Sequence, residues 1–406
     1  MIGKCIIFAK KKEKNMNKQT KTVHTKSALP DAYGALNMPV YHSAAFGFPN
    51  AKSMADAFAG RTDSPTYSRV SNPTVTFFEK RVKELSGAQN VFSFNSGMAA
   101  ICCTMMALTA SGKNIVTSAH LFGNTVSLLK NTLGRFGVET RFVDLLDIEA
   151  VANAIDENTA CVFLEIITNP QLEVVDLQCL STVAHQKNVP LVADTTIIPF
   201  TQFCACDFGV DIEVVSSTKY ISGGATSLGG LVIDYGHFPQ LYRSLKFELL
   251  YNIGSYMTPQ VAFMQTNGIE TLDLRYRIQA GNALALAKKL TQVPEVKRVN
   301  YNGLSDNKYH DVATRQFGGT YGAMFTIDLE DKQKCFDLID NLRLIHRATN
   351  LFDSKSLAIH PASTIFAAFA GSQRRAMDVR DTTIRFSIGM ESVDDLFDDI
   401  IQAIRK

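Results

Sequence analysis

A series of short, apolar, β-branched runs constrains this chain most: "NIVTSA", "ETRFVD", "TACVFLEII", "VPLVADT", "DIEVVSS" and "GGLVID". Most are separated by stretches long enough for a helix, and the apolar spacing of "TVTFFEKRVKELSG" and "GMAAICCTMMALTASG" is helical. Strands buried on both faces read as continuous apolar runs, and parallel neighbours need a crossover that is usually a helix. The expectation is therefore an α/β fold, with a mostly parallel sheet covered by helices over residues 66–267. A long helical pattern, "TPQVAFMQTNGIETLDLRYRIQAGNALALAKKLTQ", leads into "YGAMFTIDL", "TTIRFSIGM" and the amphipathic "SVDDLFDDIIQAIRK". Residues 268–406 are expected to form a smaller α+β domain. Residues 1–65, rich in Pro, Gly and aromatics toward their end, read as an extension and an arm that packs on something else.

The formal net charge of +2 supplies no basic field for nucleic acid, and 46% hydrophobic residues allow a large core. No apolar run approaches the roughly 20 residues that span a bilayer. The apolar stretch near Met1 is too short for an export signal and runs straight into lysines, so a cytoplasmic protein is expected. Met16 is an alternative start, and the residues before it are expected to be mobile. Eight cysteines in 406 residues, several within apolar runs, read as reduced core thiols. "FCACD" places Cys204 beside Cys206, but no second Cys or His pair at metal-ligand spacing accompanies them, so zinc is not expected.

Ligands of an open parallel sheet sit at the carboxyl ends of its strands. There "PLVADTT" ends in Asp194, "VFLEIITNP" carries Glu165 and Asn169, and "EVVSSTKYISGG" carries Ser216, Thr218 and Lys219. "FNSGMAA" sets Ser96, Gly97 and Met98 at a helix start, where backbone amides receive phosphate readily. Singly, each has a plainer reading: Lys219 as a solvated loop lysine, Asp194 and Ser96 as caps. The glycine spacings of dinucleotide and P-loop sites are absent. A phosphate seat, a carboxylate and a lysine in one parallel-sheet domain together suggest pyridoxal 5'-phosphate, with Lys219 forming its Schiff base and Asp194 holding the pyridine nitrogen protonated.

The motifs "YSRVSNPT", "SFNSGMAAI", "VADTT", "SSTKYISG", "HPAST" and "IRFSIGMES", in this order, resemble the pyridoxal-phosphate enzymes of cysteine and methionine metabolism. That trans-sulfuration group includes cystathionine synthase, γ-lyases and O-acetylhomoserine sulfhydrylase. The resemblance runs from near Gly34 to the C-terminus and implies the aspartate aminotransferase-like fold (fold type I). It assigns phosphate binding to Ser96, Gly97, Met98, Ser216 and Thr218, and to Tyr67 and Arg69 reaching in from a neighbouring subunit. It places Asn169 at the cofactor's phenolic oxygen and Phe122 on its ring. Arg385, Asn350 and Tyr67 are assigned to the amino-acid substrate. A homo-oligomer follows, a dimer of active dimers forming a homotetramer.

Within the family, Phe122 in "LFGNT" stands where a tyrosine is usual, and Asn124 where methionine γ-lyases carry cysteine. Both count against a degradative lyase. "TNLFDSKSLAIHPAST" is similar to the sulfhydrylases' segment, although Phe352 stands near an expected glycine, Phe366 in place of a histidine, and Gly224–Ala225 in place of His-Gly. The expected reaction is γ-replacement: O-acetyl-L-homoserine and sulfide give L-homocysteine and acetate. Cystathionine γ-synthase and the γ-lyases are the alternatives. The acyl group and the sulfur donor (sulfide, a thiol or a sulfur-carrier protein) stay open, and Phe352 and Phe366 are where a difference in the substrate channel is expected.

Overall fold

The computed structural model describes residues 16–24 and 33–406. Two sheets organise it. The larger has seven strands: β1 (Asn90–Phe94), β2 (Asn114–Thr117), β3 (Glu139–Phe142), β4 (Thr159–Glu165), β5 (Leu191–Asp194), β6 (Ile212–Val215) and β7 (Gly230–Asp234), in the order β1-β7-β6-β5-β4-β2-β3. Strands β2 through β6 run parallel, while β7 runs antiparallel to both β6 and β1. Of these, β2 and β6 are buried at every position, as strands between two helical layers must be, including the polar Asn114, Thr117 and Glu213. The smaller sheet, β10-β11-β12-β9-β8, is built from β8 (Arg298–Asn300), β9 (Met324–Asp328), β10 (His346–Arg347), β11 (Leu357–Ile359) and β12 (Thr383–Ser387).

Local chemistry sets the helix ends. "SNPT" starts the helix Pro73–Ser86: the Asn72 side chain accepts from Thr74 N, proline occupies the first turn, and Gly87 closes the helix at φ 74°. The helix Gly97–Leu108 begins with Ser96 Oγ accepting from Ala99 N at 3.1 Å.

Several expectations are corrected. β1 is absent from the sequence reading, although it pairs with β7 along its whole length. The long helical pattern after Thr258 is two helices, Pro259–Glu270 and Leu272–Leu290, so the expected boundary at 267/268 cuts a continuous helix. A tight approach occurs just there: a Cβ on Gly268 would lie 2.0 Å from the Ile221 carbonyl oxygen. Part of the expected arm lies on its own chain, since the buried Arg81 guanidinium donates to the Thr22 carbonyl at the helix Lys18–Val23. The mobility expected of the first fifteen residues lies outside the described residues. Among the described residues no helix is long and apolar enough to cross a membrane.

Candidate active site

The carboxyl ends of β4, β5 and β6 open into a cavity of about 290 Å³. Its walls are Ser96, Gly97 and Met98 at the helix start, Phe122, Glu165, Asn169, Asp194, Ser216, Thr218 and Lys219 from the large sheet's connections, and Asn350 and Arg385 from the smaller sheet and its connections. The structure thus gathers every candidate from the sequence except Tyr67 and Arg69. Tyr67 is exposed, Arg69 lies over its ring at 5.5 Å and donates to the Tyr251 carbonyl, and neither lines this cavity.

Close packing shapes one end of the cavity. A Cβ on Gly97 would meet Ser216 Cβ at 2.7 Å, and one on Gly230 would meet the Ser96 carbonyl oxygen at 2.1 Å. Only glycine lets the helix start approach β6 and β7 this closely. Because Ser96 Oγ caps Ala99 N, the amides of Gly97 and Met98 remain to face a ligand, with Ser216 beside them. Thr218 Oγ1 donates to Gly229 O at 3.2 Å and accepts from Gly229 N at 3.0 Å, so its proton is already committed.

Asp194 Oδ1 accepts from Thr196 N at 2.9 Å, while Thr196 Oγ1 accepts from Ser216 N at 2.9 Å, tying the ends of β5 and β6 together. Thr196 and Glu165 received no role from the sequence, though the hydroxyl pair of "DTT" and the carboxylate ending β4 were visible there. Glu165 accepts from Phe122 N at 2.6 Å and from Asn169 N at 3.2 Å, and so fixes two neighbours of the cavity. Burial, and then the Asp194 charge, pushes Glu165 up to about 8. Burial also raises Asp194, opposed by Thr196 and by the Lys219 charge. Two adjacent carboxyls in a dry site call for a cation.

Lys219 Nζ donates to Asn350 Oδ1 at 2.6 Å. Burial, reinforced by the Arg385 charge and opposed by Asp194, brings its pKa down to about 8. Arg385 is buried at 3% exposure; its Nη1 donates to Asn169 Oδ1 at 3.1 Å and its Nη2 to the Asn350 carbonyl at 3.0 Å, while Nε has no partner. Among the described residues no carboxylate pairs with it. The amide seat, the facing carboxylates, the desolvated lysine and the orphan guanidinium donor fit a phosphorylated pyridine aldehyde with an amino acid beside it.

Apart from Phe122, the departures from the family pattern lie outside the lining of this cavity. Neither Phe352 nor Phe366 lines it, which corrects the expectation that they shape the substrate channel directly. Phe366 is fully buried, with Ile365 facing the cavity instead. The Phe352 ring stacks on Tyr220, next to Lys219, at 4.1 Å and 7°. Phe352 and Ala225 hold φ 59° and 58°, left-handed values that favour glycine and cost an L-residue roughly 1–2 kcal/mol. The backbone course survives although the glycines do not.

A lysine with a pKa near 8 predicts its own pH response. Only the neutral amine attacks an aldehyde, so the rate at which apo-protein captures pyridoxal phosphate should rise through pH 8 and level off above it. An unperturbed lysine would keep rising to roughly 10.4. Stopped-flow absorbance from pH 6.5 to 10.5 separates the two profiles.

The comparisons with known proteins agree with this geometry. Residues 19–405 match the family model described as Cys/Met metabolism PLP-dependent enzyme. L-methionine gamma-lyase of Fusobacterium nucleatum is 33% identical over 95% of this chain and 98% of its own length. O-acetyl-L-homoserine sulfhydrylase of Corynebacterium glutamicum is 32% identical over 94% and 95%. A crystal structure of a putative O-acetylhomoserine (thiol)-lyase from Campylobacter jejuni, containing pyridoxyl-lysine monophosphate, superposes with a TM-score of 0.93 at 30% identity, covering 96% of this chain and all of that one. The chain belongs to the pyridoxal-phosphate-dependent enzymes of cysteine and methionine metabolism.

Proposed function

We propose that this enzyme catalyses γ-replacement on O-acetyl-L-homoserine, with sulfide displacing acetate to give L-homocysteine. Bound pyridoxal phosphate supplies an electron sink that acidifies the substrate's α- and β-hydrogens. The chain's residues supply the rest. Asp194 would hold the pyridine nitrogen, Phe122 would offer its apolar face to the ring, and the Gly97 and Met98 amides with Ser216 would hold the phosphate. Arg385 and Asn350 hold the substrate carboxylate, which aims the α-hydrogen at Lys219 Nζ. Lys219 takes that proton and returns protons after the acetate leaves and the C–S bond forms.

One observation carries the choice of replacement over elimination. Among the described residues no tyrosine or cysteine lines the cavity; its titratable groups are Glu165, Asp194, Lys219 and Arg385. Phe122 keeps the stacking surface and lacks the phenol that would assist a lyase. The methionine gamma-lyase relative keeps elimination as the second reading. Tyr67, which is exposed, and Arg69, which is half-buried, do not line their own cavity and are proposed to complete that of a second copy, so that the active unit is a dimer, paired again into a tetramer, in a cytoplasmic enzyme.

Purified, cofactor-loaded protein given O-acetyl-L-homoserine should form homocysteine only when sulfide is added. Cystathionine on addition of cysteine would assign a cystathionine γ-synthase. A 2-oxo acid in the absence of any thiol would assign a lyase.

A further inference from the structure

Away from the cavity, Cys204 and Cys206 hold their sulfur atoms 3.1 Å apart. Both are half-buried and therefore reachable, and among the described residues no other two cysteine sulfurs come within hydrogen-bonding distance. The approach is built by the backbone. Cys204 is extended (φ −107°, ψ 101°) and precedes a single 3-10 turn, Ala205–Phe208, which brings Cys206 back beneath it. Asp207 N donates to Cys204 O at 3.2 Å, and Gly209 N to Cys206 O at 3.1 Å.

The turn is pinned on both sides. The Phe203 ring lies against Phe208 at 5.4 Å and edge-on to Phe317, at the end of the helix His310–Phe317, at 5.1 Å. Gln202 Nε2 donates to Asp273 Oδ1 at 2.8 Å. The sulfurs are thus held together before any bond forms, which lowers the entropy of closing one. Asp207 could add a third ligand for a metal, but a structural zinc site takes four, and none of the described His, Cys, Asp or Glu side chains completes this cluster.

We propose that Cys204 and Cys206 form a reversible intrachain disulfide by exchange with a small-molecule disulfide. The Cys204 thiolate attacks one sulfur of that disulfide and expels the other as a free thiolate. Cys206 then loses its proton and attacks the mixed disulfide at Cys204 Sγ, releasing the second small thiol. Two cysteine S–H bonds and one small-molecule S–S bond become one protein S–S bond and two small thiols, so two electrons pass from protein to reagent. Burial, with Cys204 close by, pushes the Cys206 thiol up to about 12, which makes it the resolving partner. A ring closed across one intervening residue is strained, and strained disulfides are readily reduced again.

The test uses the full-length, cofactor-loaded protein, first reduced and then incubated with oxidised glutathione. Remaining thiols are alkylated in acid-quenched samples, and peptides are mapped by mass. The expected result is a peptide spanning Cys204 and Cys206 that is two hydrogens lighter and unalkylated, reverting to a doubly alkylated form after reductant. Cys206→Ser should instead retain one glutathione on Cys204. Wild-type protein in which both sulfurs alkylate after oxidation, or in which glutathione persists on either without closure, would overturn the proposal whatever the variant does.

Discussion

Replacing Lys219 by alanine should lower turnover by about 10⁴-fold or more, the upper range for loss of a positioned acid–base group. The argument rests on what else the cavity offers. Glu165 already accepts two backbone N–H groups, and Arg385 does not give up a proton at neutral pH. Asp194 is proposed to hold the pyridine nitrogen. Among the described residues that line the cavity, no other group is placed to collect and return the protons. The single side-chain partner of Lys219 Nζ is Asn350 Oδ1, and its ammonium is disfavoured by burial, so the alanine variant should unfold at or above the wild-type temperature. Lost turnover with unchanged melting separates chemistry from misfolding. Turnover within tenfold of wild type would remove Lys219 from its role.

The parts of the fold that could be read from the chain were those in which local pattern and tertiary environment agree. Strands such as β6 are buried on both faces, so Ile212, Val214 and Val215 are apolar, and the one charged residue among them, Glu213, is held by hydrogen bonds from Thr195 and Tyr235. Asp194 and Lys219 could be read because strand ends are where an open sheet keeps its ligands. The direction of β7 could not be read from "GLVID", which would suit either orientation. It was implicit in the connection: β6 ends at Val215 and β7 begins at Gly230, and the span between carries Lys219 and a short 3-10 turn with no crossover helix. β1 escaped because its five residues, with the polar Asn90 and Ser93 among them, follow closely on a helix and are completed only by pairing with β7. The roles of Glu165 and Thr196 depend on amides brought near by folding. Likewise the Arg385–Asn169 hydrogen bond joins residues 216 apart, so no local window contains it.

Arg385→Leu should reduce kcat/KM for the amino-acid substrate by roughly 30- to several-thousand-fold. Removing one partner of a buried, hydrogen-bonded charge pair costs about 2–5 kcal/mol, and each 1.4 kcal/mol is about a factor of ten. The case for a missing partner is structural: the guanidinium is buried, donates only to two neutral oxygens, and leaves Nε unsatisfied. Burial lowers its pKa to about 9, so it is still charged at pH 7, and a charge kept in such a place calls for an anion. A carboxylate is the anion whose two oxygens match the planar fork, so Arg385→Lys should restore only a small part of the loss. Most of the effect should fall on KM, with a further loss in kcat because an unclamped substrate no longer presents its α-hydrogen to Lys219. Leucine removes a desolvated charge, so melting should hold steady or rise. The decisive comparison uses a competitor amine lacking the carboxylate. Wild-type enzyme should strongly prefer the carboxylated ligand, and Arg385→Leu should bind the two nearly alike. If the variant keeps the wild-type preference, the carboxylate is held elsewhere, and the orphan Nε of Arg385 needs another explanation.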